Sequence, residues 1–453
     1  MSAPTHGYTL GFIQSMLTER AGRASGWFKD LELRTAFQPI FSLPHKRAIG
    51  FDATLRSIDS RGKPVRAETL FGPVENYSET SLLDLLSTTI HVHNYSASRA
   101  QGLLFINLHP EVFLDSDRTA EFLAGLLRHY RVPEGRLVID IPGSVLKDER
   151  LSAPLDHYRR LGCLISVDDF GVDNSNLDTV WHTAPVAVKM GRSVIADASG
   201  DRRAREALPR AASLLHEMGT LVVMEGVETE MEALIAIDAD ADFATGFYFG
   251  APYEDPGEYS EPGIVLGTLW AAYKKRAPER SKETSARASL EDESLSSSEV
   301  GKLRNASPAD ISRYREERRP FISAIQNVAS RVKSGDEFDT ACSEFLALPG
   351  AIRCYLLDAE GRQIGAEVNS RRPPAAQGVD FDALAAASDA DWSRRDYFRR
   401  ARSEPEIPQV TRQYCSLSGH TRCVTFSLAT TVKGKPVVVC GDVDWSTHAR
   451  VRR

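Results

Sequence analysis

The residues best placed to do chemistry are Asp168 and Asp169, adjacent carboxylates at the exit of the apolar run Leu164-Ile165-Ser166-Val167. A run of that length reads as a buried strand, and paired carboxylates do not belong in a dry core unless a cation meets them. Two like charges about 4 Å apart repel by about 4 kcal/mol at an effective dielectric of about 20. A divalent metal or a basic partner answers that repulsion, and so does a solvated turn that caps the next helix. Other apolar runs stop at a polar residue too: 103–106 at Asn107, 137–139 at Asp140, 186–188 at Lys189 and 221–224 at Glu225. Taken singly, each of these residues reads as a helix N-cap before it reads as a ligand, a place that Asn and Asp suit best. Gathered on one rim with Asp52, they form an oxygen-rich set, Asp52, Asn107, Asp140, Asp168, Asp169 and Glu225, beside the cation of Lys189. Such a set suits Mg²⁺ or Mn²⁺.

Something must bring these strand ends together. Residues 37–43 and 47–55 read as a strand pair across the turn Pro44-His45-Lys46, and helical segments such as 119–130 and 203–218 separate the later strands. Strands alternating with helices over roughly 250 residues predict a (β/α)₈ barrel of the TIM type, whose open face lies at the carboxyl ends of the strands. A doubly wound sheet gives a similar alternation, but its crevice draws on fewer strand ends. The expected boundaries are an N-terminal segment over 1–35, with a helix near 12–18, and the barrel over 36–255. A closing helix at 263–275 and a Ser- and Glu-rich linker at 276–308 fill 256–310. A connecting helix follows at 311–337, with Ile322, Ile325, Val328 and Val332 at helical spacing and an interruption or kink expected at Pro320. A smaller α/β domain over 338–448 ends in a hairpin turning at Lys433-Gly434.

The 453 residues are 42% hydrophobic, enough for two or three domains with their own cores. The net charge of −7 is dispersed, so no basic stripe offers itself to nucleic acid or an anionic membrane. No apolar run reaches the length of a membrane span, and the opening Met1-Ser2-Ala3-Pro4-Thr5-His6 lacks the features of a secretory signal. A cytoplasmic protein with reduced thiols is therefore expected. Its six cysteines include no CxxC pair.

Several stretches resemble one family, the EAL domains, which comprise cyclic di-GMP phosphodiesterases and their degenerate relatives. They are Phe37-Gln38-Pro39-Ile40, Gly50-Phe51-Asp52-Ala53-Thr54-Leu55-Arg56, Ile106-Asn107-Leu108, Asp168-Asp169-Phe170-Gly171, Val188-Lys189-Met190, Glu225-Gly226-Val227-Glu228-Thr229 and Thr245-Gly246-Phe247-Tyr248-Phe249-Gly250-Ala251-Pro252. The resemblance implies a barrel that opens cyclic di-GMP to the linear dinucleotide with Mg²⁺ or Mn²⁺, Ca²⁺ being a non-catalytic substitute. It places Asp52, Asn107, Asp140, Asp168, Asp169 and Glu225 at metal positions, with Lys189, Glu225 and Asp168 catalytic. Gln38, Arg56, Asp169, Glu228 and Pro252 fall at ligand contacts. The chain departs from the pattern at named places. Glu-Ala-Leu is Asp52-Ala53-Thr54, and Glu-Ile-Thr-Glu is Asp140-Ile141-Pro142-Gly143. Gly191 follows Lys189-Met190 where Asp is usual, and Thr245 replaces a Gln. Losing one methylene retracts a carboxylate by about 1.5 Å, and a misplacement of about 1 Å at a reacting centre can cost on the order of 10²-fold.

In the C-terminal region Asp391-Trp392-Ser393-Arg394-Arg395-Asp396-Tyr397-Phe398 is similar to the signature of Cache domains, PAS-like sensors of small ligands. That resemblance implies a pocket lined by Trp392, Arg395 and Tyr397, with Asp442 or Asp444 gripping a ligand amine or water. The same residues also read as a packing corner with a solvated arginine face. Cys415, His420 and Cys423 read as metal-binding or redox-responsive, or as buried strand thiols. The leading expectation is a signalling protein whose degenerate barrel acts as a cyclic di-GMP receptor or protein-binding regulator under a C-terminal sensor. An active phosphodiesterase and a nucleotide-blind scaffold are the alternatives. A homodimer is expected, since EAL domains often pair through the region after the Asp-Asp loop.

Overall fold

A computed structural model describes residues 8–65, 70, 77–98, 100–143, 145–171, 177–258, 265–276, 308–371, 388–417 and 422–445. The chain divides into two compact units, the first built mainly on residues 1–263 and the second on most of the chain after them. The expected linker, together with His420, lies outside the described residues.

The first unit carries strands β1 (Leu17–Arg20), β2 (Arg23–Phe28), β3 (Leu31–Ser42), β4 (Arg47–Ile58), β5 (Pro64–Val65), β6 (Leu103–Asn107), β7 (Leu137–Pro142), β8 (Leu164–Phe170), β9 (Ala187–Met190), β10 (Leu221–Met224) and β11 (Phe243–Ala244). Their order is β1-β2-β3-β11-β10-β9-β8-β7-β6-β4-β5, and an additional β3–β4 pairing closes eight of them into a ring. The fold is therefore a (β/α)₈ TIM-type barrel. It has one reversed strand: β3 runs antiparallel to both β4 and β11, while the pairs from β4 through β6 to β11 are parallel.

Parallel strands covered by helices are buried on both faces, which is why they read as unbroken apolar runs. β7, β9 and β10 are buried along almost their whole length. Gly50 permits the tight β4–β6 contact, because a Cβ there would stand 2.2 Å from the Leu103 carbonyl oxygen. The N-terminal helix is Leu10–Ser15, shorter than expected, because the chain turns directly into β1 and β2. Asn94 clips that hairpin in place, its amide exchanging hydrogen bonds of 2.7 and 2.9 Å with the Ala24 backbone.

In the second unit, β12 (Ala351–Leu357), β13 (Gln363–Asn369), β14 (Gln409–Val410), β15 (Tyr414–Cys415), β16 (Arg422–Val432) and β17 (Lys435–Asp444) form an antiparallel sheet of order β13-β12-β17-β16-β14, with β15 also on β16. Lys433 and Gly434 turn the β16–β17 hairpin with φ of 50° and 77°, as a two-residue primed turn requires. Pro308–Ser334 is helical and runs unbroken through Pro320, against the expected interruption. Its Phe321, Ile325, Val328 and Val332 pack with Phe345 on Val424, Phe426, Leu428, Val439 and Val443. That packing offsets the local loss of one helix hydrogen bond.

Candidate functional site

Adjacent residues on a regular strand point to opposite faces, so Asp168 and Asp169 would not share a site in an unbroken β8. The β8–β9 register shifts between Val167 and Phe170, and Asp169 takes a left-handed φ of 52° with its N–H donating to Asp168 Oδ1 at 2.8 Å. This bulge brings one oxygen from each of Asp168, Asp169 and Glu225 within 4.8 Å of one another.

Below this cluster lies Lys189, with 0% of its surface exposed. It sits inside β9, not just beyond its end as the sequence suggested, and its Nζ is 5.4 Å from the Phe105 ring centroid. Three carboxylates surround the ammonium: Asp52 Oδ2 at 2.7 Å, Asp140 Oδ2 at 2.7 Å and Glu225 Oε1 at 3.1 Å. Burial pulls the lysine towards neutrality, but Asp140, Asp52, Glu225 and Asp168 together outweigh it and hold the ammonium charged, well above its usual range. Burial in turn pushes Asp52 and Glu225 upward and Asp140 to about 8, against the pull of Lys189. The cluster carries more carboxylates than cations, and burial favours keeping protons on it.

The arrangement tests directly whether these residues suit a metal. Oδ1 of Asp52 and Oδ1 of Asp140 are buried without a hydrogen-bond partner, so each carboxylate has an oxygen uncommitted. Apart from them, Asp168, Asp169 and Glu225 bring their oxygens together as an all-oxygen donor set of the kind that fits a hard divalent cation. Asp168, Asp169 and Glu225 are the residues that would hold it.

The other sequence candidates lie around this centre. Asn107 ends β6 and is exposed, in register with Asp140. Gln38 pairs with Asp52 across β3–β4, and its amide donates to the Gly250 carbonyl at 2.6 Å. Arg56 is exposed near the end of β4. Pro252 is half-buried beside Tyr253, whose backbone pairs with Phe37 at 2.7 and 2.9 Å. Glu228 is bound to Arg192 at 2.7 Å. The two substituted threonines serve the backbone: Thr54 Oγ1 donates to the Ala36 carbonyl and Thr245 Oγ1 to that of Pro39.

A family model described as "EAL domain" matches residues 22–252. The chain belongs to the EAL domain family. Curated relatives of this EAL chain include an uncharacterized protein of Azorhizobium caulinodans, 27% identical over 244 residues, which are 51% of this chain and 32% of that protein. The cyclic di-GMP phosphodiesterase RocR of Pseudomonas aeruginosa is 27% identical over 33% of this chain and 38% of its own. The probable cyclic di-GMP phosphodiesterase PdeB of Escherichia coli is 25% identical over 43% and 38%. The chain thus spans about a third of the length of these relatives. Among solved structures, the Bacillus subtilis YkuI protein, with an EAL domain and in complex with cyclic di-GMP and calcium, has a TM-score of 0.49 at 17% identity, covering 91% of this chain and 96% of that one.

In the second unit the expected pocket residues are all buried: Trp392, Arg395, Tyr397, Asp442 and Asp444. The structure commits Asp442 to its own chain. Its oxygens meet Arg353 Nε at 2.8 Å, Thr425 Oγ1 at 2.7 Å and the Tyr355 hydroxyl at 3.4 Å. Trp392 Nε1 donates to Gln363 Oε1 at 3.1 Å, and the Tyr397 ring packs edge-on to Tyr355. Arg353, Tyr355, Thr425 and Tyr414 were missed in the sequence. The available signal was Arg353 and Tyr355 two apart on an otherwise apolar strand, both facing the same side as Asp442. Cys415 and Cys423 are buried thiols, as are the other four cysteines.

Proposed function

We propose that this EAL domain binds cyclic di-GMP at the acidic mouth of its barrel together with a divalent ion, as a receptor with strongly impaired hydrolysis. The ligand class follows the family and the relatives named as cyclic di-GMP phosphodiesterases. The impairment rests on one observation: Lys189 is wholly buried and shared among Asp52, Asp140 and Glu225. A lysine so committed supplies fixed positive charge and has no free lone pair with which to accept a proton. Asp52 and Asp140 stand where the family carries glutamates, and each directs one oxygen inward to Lys189.

When bound, a divalent ion at this mouth supplies an activated water and neutralises charge on a phosphodiester. The chain's own residues then do the rest. Asp168, Asp169 and Glu225 position the ion. Gln38, held by the Gly250 carbonyl, and Arg56 at the end of β4 are the proposed nucleotide contacts, the latter by its planar fork on a phosphate.

A second reading, a slow metal-dependent phosphodiesterase, is favoured by the intact Asp168, Asp169 and Glu225 cluster. Calorimetric titration of cyclic di-GMP in Ca²⁺ and then in Mn²⁺, with chromatography of the products, separates the readings. Binding without linear product supports the receptor. Linear product that disappears in Asp168→Asn supports the enzyme, and absence of binding in both metals leaves a protein-binding scaffold. On the same proposal, the second unit acts as the sensor.

A further inference from the structure

The carboxylates suited to a metal come from two separate segments, the end of β8 and the stretch after β10, and β9 lies between them in the barrel wall. The helix Arg192–Gly200 leaves β9 at Gly191, and its first turn touches both segments. We propose that this turn is the positioning element that sets the gap between Asp168–Asp169 and Glu225, with Arg192 as its principal residue. The proposal deepens the reading of the mouth as a divalent-ion site and rests on it.

The contacts are specific. Gly226, next to Glu225, has a φ of +65°, and a Cβ built there would stand 2.4 Å from Arg192 Cγ and 2.7 Å from Arg192 Cβ. The arginine stem therefore lies directly on the residue after Glu225. Its head reaches onward, Nη2 to Glu228 Oε1 at 2.7 Å. Two residues along, Val194 Cγ2 would stand 2.7 Å from a Cβ at Gly171, which has a φ of +91° and closes the Asp168-Asp169-Phe170-Gly171 stretch. Backbone bonds fix the same three segments, Gly191 N to Phe170 O at 3.1 Å and Glu225 N to Met190 O at 3.2 Å. Glu232 holds the far end, its Oε2 accepting from the N–H groups of Glu228 and Thr229.

The Arg192 side chain is 68% exposed, so solvent screens its ion pair and little global stability depends on it. Its effect is geometric. Ligand oxygens must be held to within a few tenths of an ångström of their working places, and groups outside the metal's own ligands do this holding. Arg192 touches neither the ion nor a substrate and is a positioning residue.

The test uses the full chain without nucleotide. Mn²⁺ affinity, thermal midpoint and amide hydrogen exchange are compared in parent, Arg192→Ala and Arg192→Lys. The expected result for Arg192→Ala is an Mn²⁺ affinity weaker by about tenfold, the lower end for residues that steady metal ligands. Its melting midpoint should hardly move, and exchange should quicken over residues 225–229. Arg192→Lys keeps the stem over Gly226 and one donor near Glu228, and should recover part of the affinity. Parent-like Mn²⁺ binding in Arg192→Ala overturns the proposal, and so does an affinity loss matched by a general drop in the melting midpoint. A parent that binds no Mn²⁺ defeats the ion-site reading. Exchange then decides whether the brace exists: faster exchange confined to 225–229 supports it, and unchanged exchange refutes it.

Discussion

Asp168 is the residue on which the proposed ion site turns, since it comes near Asp169 and Glu225 at once and adds its charge to those of Asp52 and Asp140 around Lys189. Asp168→Asn keeps the shape and removes the charge. Mn²⁺ binding should be lost while the far-ultraviolet spectrum stays that of the parent, which calorimetry and circular dichroism will check. Asp84 offers a prediction away from the mouth. It is buried in the helix Tyr77–Ala97, its Oδ2 accepts from the His109 N–H at 2.9 Å, and burial pushes its carboxyl up to about 7. Between its ordinary value of 3.8 and about 7, the folded chain keeps a proton that the unfolded chain releases. Stability from this group is therefore present at acid pH and lost as pH rises through that window. The difference in melting midpoint between Asp84→Asn and the parent should grow in favour of the variant from pH 4 to 7, read by thermal melts across buffers.

At the scale of elements, the barrel depends on close strand approach. A Cβ at Gly50 would press on the Leu103 backbone between β4 and β6, and backbone cannot yield as a side-chain tip can. Gly50→Ala should cost about 1–3 kcal/mol, the usual price of overpacking, measured by denaturant unfolding. The strands themselves were legible in the sequence, because a buried parallel strand is a short apolar run and its polar terminator marks the rim. By that rule Glu225 was found just beyond β10 and Asn107 at the end of β6; Asp140 and Asp168, also taken as terminators, lie inside β7 and β8. The bulge that turns Asp169 to the same side was not legible, since it comes from a left-handed φ at one residue and a register shift with β9. Lys189 was placed one residue too far out, because a lysine reads as the end of a strand until three carboxylates are seen around it. Arg192 carries no signal in a sequence where surface arginines are common; only the missing Cβ of Gly226, far along the chain, reveals its role. The departures at Thr54 and Thr245 were visible as substitutions. Their hydrogen bonds to the backbone of β3 were not.

For the molecule as a whole, two compact units with separate sheets and cores imply two unfolding events. Scanning calorimetry should resolve two transitions, of which Mn²⁺ raises one, by binding to the folded barrel alone. Gly441→Ala should lower the other, because a Cβ there would meet the Phe345 ring at 2.4 Å in the core of the second unit. A single transition that moves in both experiments would show that the units unfold together.

The buried ammonium of Lys189 also determines what happens when metal is withdrawn. A barrel whose acidic interior relied entirely on exchangeable ions would be left with uncompensated charge by a chelator and would loosen. Here part of the counter-charge is covalently attached and cannot be extracted. Treatment with EDTA should therefore empty the mouth without melting the barrel, and returning Mn²⁺ should restore binding without any refolding step. Lys189→Met should convert that harmless, reversible stripping into loss of structure.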